Sequence, residues 1–416
     1  MKSVIRRKRV TPCFFFPEGS IWATLGILFV KGDHGGFSFE QGPIRPPSEA
    51  RSLLIRVTRN CPWNKCAFCH SYRDTPFALR TVEDIKKDIG NAGHIASEIR
   101  SLSWKLGEGG RITESVVNQI WNHGEQYHDG FKSVGSWLYD GGESVFLQDS
   151  DSLIVKTDHL VEILNFVKET FPFVKRVTSY CRSKTAARKS VKELKRLCDA
   201  GLSRIHIGME SGFDPLLAFI RKGTTAADHI EGGKRIVAAG ISLSEYVIPG
   251  LGGTRWSKEH AEETARVINQ INPDFVRLRS LHVVRGTDLD GMMQKGEFTP
   301  LGDEDVVREI RRFIECLDGI ETTLVSDHIL NLFEELEGKL PENKEKLLAV
   351  IDRYFKLSSQ ERIIFRIGRR KGIYSKLDDL SDRHTYIRLK QMVDEYEAKE
   401  PDQLEKDLFK LMHHYI

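Results

Sequence analysis

Residues 52–70 read SLLIRVTRNCPWNKCAFCH. A short apolar run, 53–57, leads straight into a loop holding three of the seven cysteines. Four residues separate Cys61 from Cys66, and two separate Cys66 from Cys69. A tight loop of that spacing can aim three thiolates at one site, and thiolates suit iron–sulfur clusters or zinc. Cys13, Cys181, Cys198 and Cys316 lie far apart, so no disulfide framework is suggested. Clustered cysteine in one loop points to a reducing, cytoplasmic setting and a metal role.

The same order, an apolar run and then an amphipathic helical stretch, repeats outward from this loop. Apolar runs fall at 52–58, 144–147, 175–179, 204–209, 242–248 and 274–281. Helical periodicity covers 81–105, 113–126, 157–169, 187–200, 226–239 and 257–271, with Gly201 and Gly240 as stop signals. Strands that are apolar on both faces belong in a parallel sheet covered by helices. Right-handed crossovers should curl that sheet, with chemistry at the carboxyl ends of its strands. The expected fold is therefore α/β, a partial (β/α)6 TIM-type barrel with a helical C-terminal region. The barrel should span 41–285, with a helical insertion at 81–126, and a mainly helical region should cover 286–416. Residues 321–325 can add one more strand. The basic stretch RIIFRIGRRKGIYSK, 362–376, is expected as a solvated helix face rather than a phosphate-binding patch.

The 416 residues are 40% hydrophobic and 29% charged, as in a globular protein, and the net charge is +3. Such a balance neither demands nor excludes a nucleic-acid partner, which is not favoured. Arg6 to Arg9 precede an apolar run at 21–30, the order of a signal peptide. That run is too short to span a bilayer and no small-residue cleavage pattern follows. Residues 1–40 are accordingly expected to be a poorly ordered extension, or in part an upstream start-site artefact.

Two metals compete for the loop. His70 follows Cys69 and could complete a zinc site, but all four ligands would crowd into ten residues. Three thiolates on a cube of four irons leave one iron open, and a barrel's catalytic end favours that reading.

Here the residues resemble the radical S-adenosylmethionine (radical SAM) superfamily, in its elongator/coproporphyrinogen-oxidase-like branch. The resemblance rests on the three cysteines after the first strand, with Phe68 before the last. IGMESG at 207–212, IRKG at 220–223, YVIPGLGG at 246–253 and the stretch 259–281 also carry it. It covers about half the chain, although the family's commonest first spacing is three residues and not four. It implies a [4Fe-4S] cluster on Cys61, Cys66 and Cys69, and S-adenosylmethionine (SAM) chelated to the open iron. It further implies reductive cleavage of SAM to a 5′-deoxyadenosyl radical that abstracts hydrogen from an unidentified substrate. An electron donor such as flavodoxin or ferredoxin would be the partner.

The implied SAM contacts are Glu210 and Ser211 with the ribose or amino-acid end, and Lys222, or else Arg221, with the carboxylate. Gly250 and Leu251 would pack on the adenine, with Phe68 beside the cluster. Arg182, ending the third strand, could reach the SAM carboxylate or the substrate. Many family members carry GGE after the second strand, but here Gly141-Gly142-Glu143 precede it. Gln148 and Asp149, which follow that strand, are therefore expected to take the SAM ammonium. Cys181 is expected as a small buried residue, and Tyr180, Tyr246 and His282 as packing. The substrate surface should involve the 81–126 insertion and the C-terminal helices. The rival readings are an RNA-binding or RNA-modification factor and a non-catalytic iron–sulfur or zinc protein.

Overall fold

The computed structural model describes residues 37–122 and 127–399. The expected extension lies outside them up to residue 36, as does the end of the 113–126 helix. Eight strands form one sheet: β1 Leu53–Arg56, β2 Ser144–Gln148, β3 Arg176–Cys181, β4 Leu202–Glu210, β5 Ser242–Val247, β6 Phe275–Leu278, β7 Thr323–Val325 and β8 Gly338–Lys339. Their spatial order is their sequence order. Every neighbouring pair is parallel except β7 with β8. The sheet starts at β1 and ends at β8 without closing, so the partial α/β barrel is as expected. It runs on past residue 285, because β7 extends it in register, Phe275 opposite Thr323. Among the described residues no helix is long and apolar enough to cross a membrane.

The connection from β1 to β2 holds α1 Val82–Lys105, α2 Glu114–Asn122 and α3 Asp129–Tyr139. The Thr81 side chain caps α1 by accepting from the Asp84 amide. Ile85, Ile89, Ala92, Ile95, Ala96 and Ile99 recur at three- and four-residue steps and are buried. The helix α3 was not apparent in the sequence, since DGFKSVGSWLY carries two glycines. Burial of Phe131, Val134, Trp137 and Leu138 outweighs that weak propensity. The remaining crossovers are α4 Thr157–Thr170, α5 Val191–Ala200, α6 Ala226–Ala238 and α7 Gly253–Ile271. Capping boxes at Ser190/Glu193 and Thr225/Asp228 set the starts of α5 and α6. The first of these delays α5 to Val191 instead of 187.

The inner face of the sheet is polar and aromatic. Rings of Phe146, Tyr180, His206 and Tyr246 touch in series, with centroids 5.1, 6.0 and 6.1 Å apart. Buried Glu49 closes the amino end, 2.9 Å from Arg176 and 3.4 Å from His206.

After β6 come α8 Asp303–Cys316, α9 Lys344–Lys356, α10 Ser359–Arg370 and α11 Arg383–Lys399. The basic stretch corrects its sequence reading. Arg366, Arg369 and Arg370 on α10 are buried, not solvated. Arg366 and Arg370 pair with Asp303, and Arg369 with Glu334. Their charges bind the C-terminal helices together instead of waiting for a phosphate.

Candidate functional site

The cysteine loop leaves β1 through Thr58–Arg59, which pairs antiparallel with Ala78–Leu79 and pinches off a lobe. Inside it, the Cys69 amide donates to the Cys66 carbonyl at 3.1 Å, and the Asn64 amide to Cys61 Sγ at 3.4 Å. The lobe is docked on the segments that follow β4 and β6. The buried Ala67 donates its amide to the Ile220 carbonyl at 2.8 Å and accepts from the Leu289 amide at 2.9 Å.

Trp63, within the four-residue spacer, adds a third attachment. Its Nε1–H donates to the Arg221 carbonyl at 2.7 Å. Its ring lies so close to Gly223 that a Cβ there would come within 2.2 Å. The Arg182 guanidinium packs over the same ring at 5.1 Å, and Arg182 Nη2 donates to the Lys222 carbonyl at 2.8 Å. The four-residue spacer thus holds a tryptophan that clips the cysteine loop to the turn after β4.

Cys66 and Cys69 line a cleft of about 310 Å³ together with Trp63, Arg73, Arg221 and Asp288. Burial pushes the Cys66 thiol up to about 11, while the nearby Lys222 ammonium pulls it down. Burial also raises Cys69, against hydrogen bonds from the Ser71 and Tyr72 backbone. Cys61 acts electrostatically on both, so the three sulfurs share one neighbourhood. Among the described residues no three Cys, His, Asp or Glu side chains gather closely enough to hold a single ion. A cube takes one thiolate at each of three corner irons, and this donor set and spacing fit it. Metal binding would displace the thiol protons. His70 is exposed.

The end of β4 faces this loop. Glu210 sits at φ 65°, a left-handed conformation that non-glycine residues seldom adopt. Its Oε1 accepts from Lys222 Nζ at 2.8 Å, and both side chains are 12% exposed. Burial works to lower Lys222, but Glu210 and Cys66 outweigh it and its pKa rises. The same ammonium lies 5.9 Å from the Phe68 ring centroid. The structure therefore brings Cys66, Phe68, Glu210, Lys222 and Arg182 together.

Ser211, Gly250 and Leu251 lie one layer behind. Ser211 Oγ pairs with His260 Nδ1 at 2.9 Å, and the Gly212 amide donates to Thr264 Oγ1 at 2.9 Å. The Gly250 amide donates to Glu309 Oε1 at 2.6 Å, and Leu251 is fully buried beside Ala67 and Ile220. Helices α7 and α8 thus hold the 207–212 and 246–253 segments from outside. His260, Glu309 and Trp63 are functional candidates that the sequence reading did not single out. HAEET at 260–264 was visible only as part of a resemblance.

Gln148 ends β2 and Asp149 follows it, but both are engaged elsewhere. Gln148 Nε2 donates to the Gly42 and Ile44 carbonyls, and its Oε1 accepts from the Gly42 amide. Asp149 is wholly buried, held by Arg56, Asn60 and Tyr72. Asp151, two residues on, accepts from the Arg182 amide and Thr185 Oγ1, and burial raises it to about 6. Glu143 precedes β2 and pairs with Lys175, so the GGE triplet does lie at the opposite end of the barrel.

A three-cysteine loop at the carboxyl end of β1 in a partial parallel barrel is the arrangement on which the sequence's resemblance to the radical SAM class rests. The resemblance to its elongator-like branch is borne out by comparison with known proteins. The tRNA uridine(34) acetyltransferase of Methanocaldococcus jannaschii is 26% identical over 287 residues, 64% of this chain and 49% of that protein. An uncharacterized protein of the same organism is 30% identical over 113 residues, 27% of this chain and 34% of its own length. The chain thus spans about half the length of the first relative. The solved structure of archaeal Methanocaldococcus infernus Elp3 aligns at a TM-score of 0.38 and 16% identity, over 56% of this chain and 55% of that one. No family model matches the chain.

Proposed function

We propose that the protein is a radical SAM enzyme whose working centre lies between the cysteine loop and the Glu210–Lys222 pair. The observation that carries this is the docking of Cys66 and Cys69 beside the Glu210–Lys222 pair. Cys61, Cys66 and Cys69 would hold the [4Fe-4S] cluster. When bound, the cluster supplies the electron that cleaves SAM to a 5′-deoxyadenosyl radical.

The chain's own groups have separable tasks. Lys222 offers an ammonium to a carboxylate, a charge-assisted contact. Glu210 accepts hydrogen bonds from a ribose diol. Gly250, at φ 88°, turns the backbone sharply where a flat base could approach. Buried Ala67, Leu251 and Ile248 form an apolar cluster against which Phe68 packs.

The substrate is a second proposal, and the name of the curated relatives favours transfer RNA. Anaerobic reconstitution with iron and sulfide, then dithionite and SAM, tests the first reading. Formation of 5′-deoxyadenosine is expected, and its absence from a chain that holds a reducible cluster would sink the proposal. RNA affinity that falls steeply with salt would support the second.

A further inference from the structure

We propose that Asp149 is the positioning residue of the cysteine loop, clamping both ends of it with one buried carboxylate. The inference rests on the cluster reading above. The Asn60 amide, one residue before Cys61, donates to Asp149 Oδ2 at 3.0 Å. The Tyr72 hydroxyl, three residues after Cys69, donates to Asp149 Oδ1. The carboxylate therefore closes the base of the segment that carries all three thiols.

Its other contacts fix it to the barrel. Arg56 ends β1 and donates Nε to Asp149 Oδ2 at 2.9 Å, with Nη2 at 2.7 Å. Arg56 Nη1 in turn donates to Glu40 at 2.8 Å, and Nη2 to Asn60 Oδ1 at 3.0 Å. Glu40 also binds Arg59 and Arg80, on either side of the loop. The segment before β1 presses on the same group, since a Cβ at Gly42 would come within 2.8 Å of Asp149 Oδ1.

A buried carboxylate is costly unless donors surround it, and here each oxygen is used. The donors come from the strand before the loop and from both loop ends. That distribution suits a clamp, because a loop ordered in advance loses less freedom when its thiols take up metal. Its hydrogen-bond partners are Arg56, Thr58, Asn60 and Tyr72, none of them a cysteine, so it would act through the loop that carries the thiols.

The test compares wild type, Asp149→Asn and Tyr72→Phe. Each is reconstituted anaerobically with ferrous iron and sulfide, then exposed to an iron chelator while visible absorbance is followed. Asp149→Asn is expected to lose iron roughly tenfold faster or more, as for other outer-layer supports of metal ligands. Tyr72→Phe leaves the Arg56 ion pair intact and should change the rate in the same direction by less. The reduced cluster's electron-paramagnetic-resonance line shape should broaden in both, which a role in folding alone would not produce. Unchanged iron loss and line shape in the two variants overturn the assignment. If Asp149→Asn fails to fold, Tyr72→Phe decides alone. A wild-type chain that takes up no iron overturns the cluster reading and this assignment with it.

Discussion

Lys222 Nζ donates to Glu210 Oε1 at 2.8 Å, within electrostatic reach of the Cys66 thiol. A cation and an anion are thus stored together beside the cysteine loop, each held ready by the other. Replacing Lys222 with Met removes the cation and leaves a mostly buried carboxylate unpaired. SAM affinity, titrated through its effect on the reduced cluster's spectrum, should weaken about 10-fold to 100-fold, the worth of one charge-assisted hydrogen bond. Lys222→Arg should recover part of it. Equal affinities for Lys222→Met and wild type would remove Lys222 from the SAM site.

The Trp63 clip makes a second prediction. Trp63→Ala removes the hydrogen bond to the Arg221 carbonyl and the surface on which Arg182 and Gly223 rest. Iron content should stay near wild type, since the thiols remain, while SAM binding weakens because the 220–223 turn is no longer held. Loss of iron with unchanged SAM affinity in the loaded fraction would contradict this division of labour.

Most of the architecture was legible because local signals agreed with one another. Thr81 and Thr225 cap the helices that they precede, and the apolar runs became the strands, whereas the Ser190 cap was passed over inside an expected 187–200 helix. The helix α3 was not legible, since only its burial against α1 and the sheet compensates its glycines. At the site, the cysteine loop and the strand ends could be read from order alone. The partners of Gln148 and Asp149 could not, because Gly42, Arg56 and Tyr72 reach them across 77 to 106 positions in sequence. The same distance hid Glu309, which is 59 residues from the glycine it holds. The arginines of α10 misled for a related reason: charge in a sequence says nothing of a buried Asp303 lying 63 and 67 residues away.

That aspartate carries the third prediction. The pKa of Asp303 is lowered: burial opposes this, but Arg370 and Arg366 outweigh it. Asp303→Ala would leave two buried guanidinium groups without this counter-charge. Breaking a buried pair in this way costs roughly 3–5 kcal/mol. Urea unfolding should show that loss in the described C-terminal packing, and a loss below about 1 kcal/mol would mean that other partners compensate.

Glu245 gives a pH-dependent prediction. It lies on β5, fully buried, on the same face as Leu243 and Val247 by strand alternation. Among the described residues neither carboxyl oxygen has a hydrogen-bond partner. Burial raises its pKa well above the ordinary value, Glu210 adds to this, and Lys222 opposes it. The unfolded chain gives up this proton near pH 4.3, whereas the folded chain keeps it to higher pH. The unfolded state therefore binds fewer protons across that window, and stability falls as pH rises through it, by about 1.4 kcal/mol per pH unit. Glu245→Met removes the titrating group at similar volume. His229, pushed down to about 3 by burial, titrates alike in both proteins and cancels in the comparison. Glu245→Met should be more stable than wild type in urea, by a margin larger at pH 8 than at pH 5. Equal margins at the two pH values would show that the carboxyl is already ionised and compensated in the folded chain.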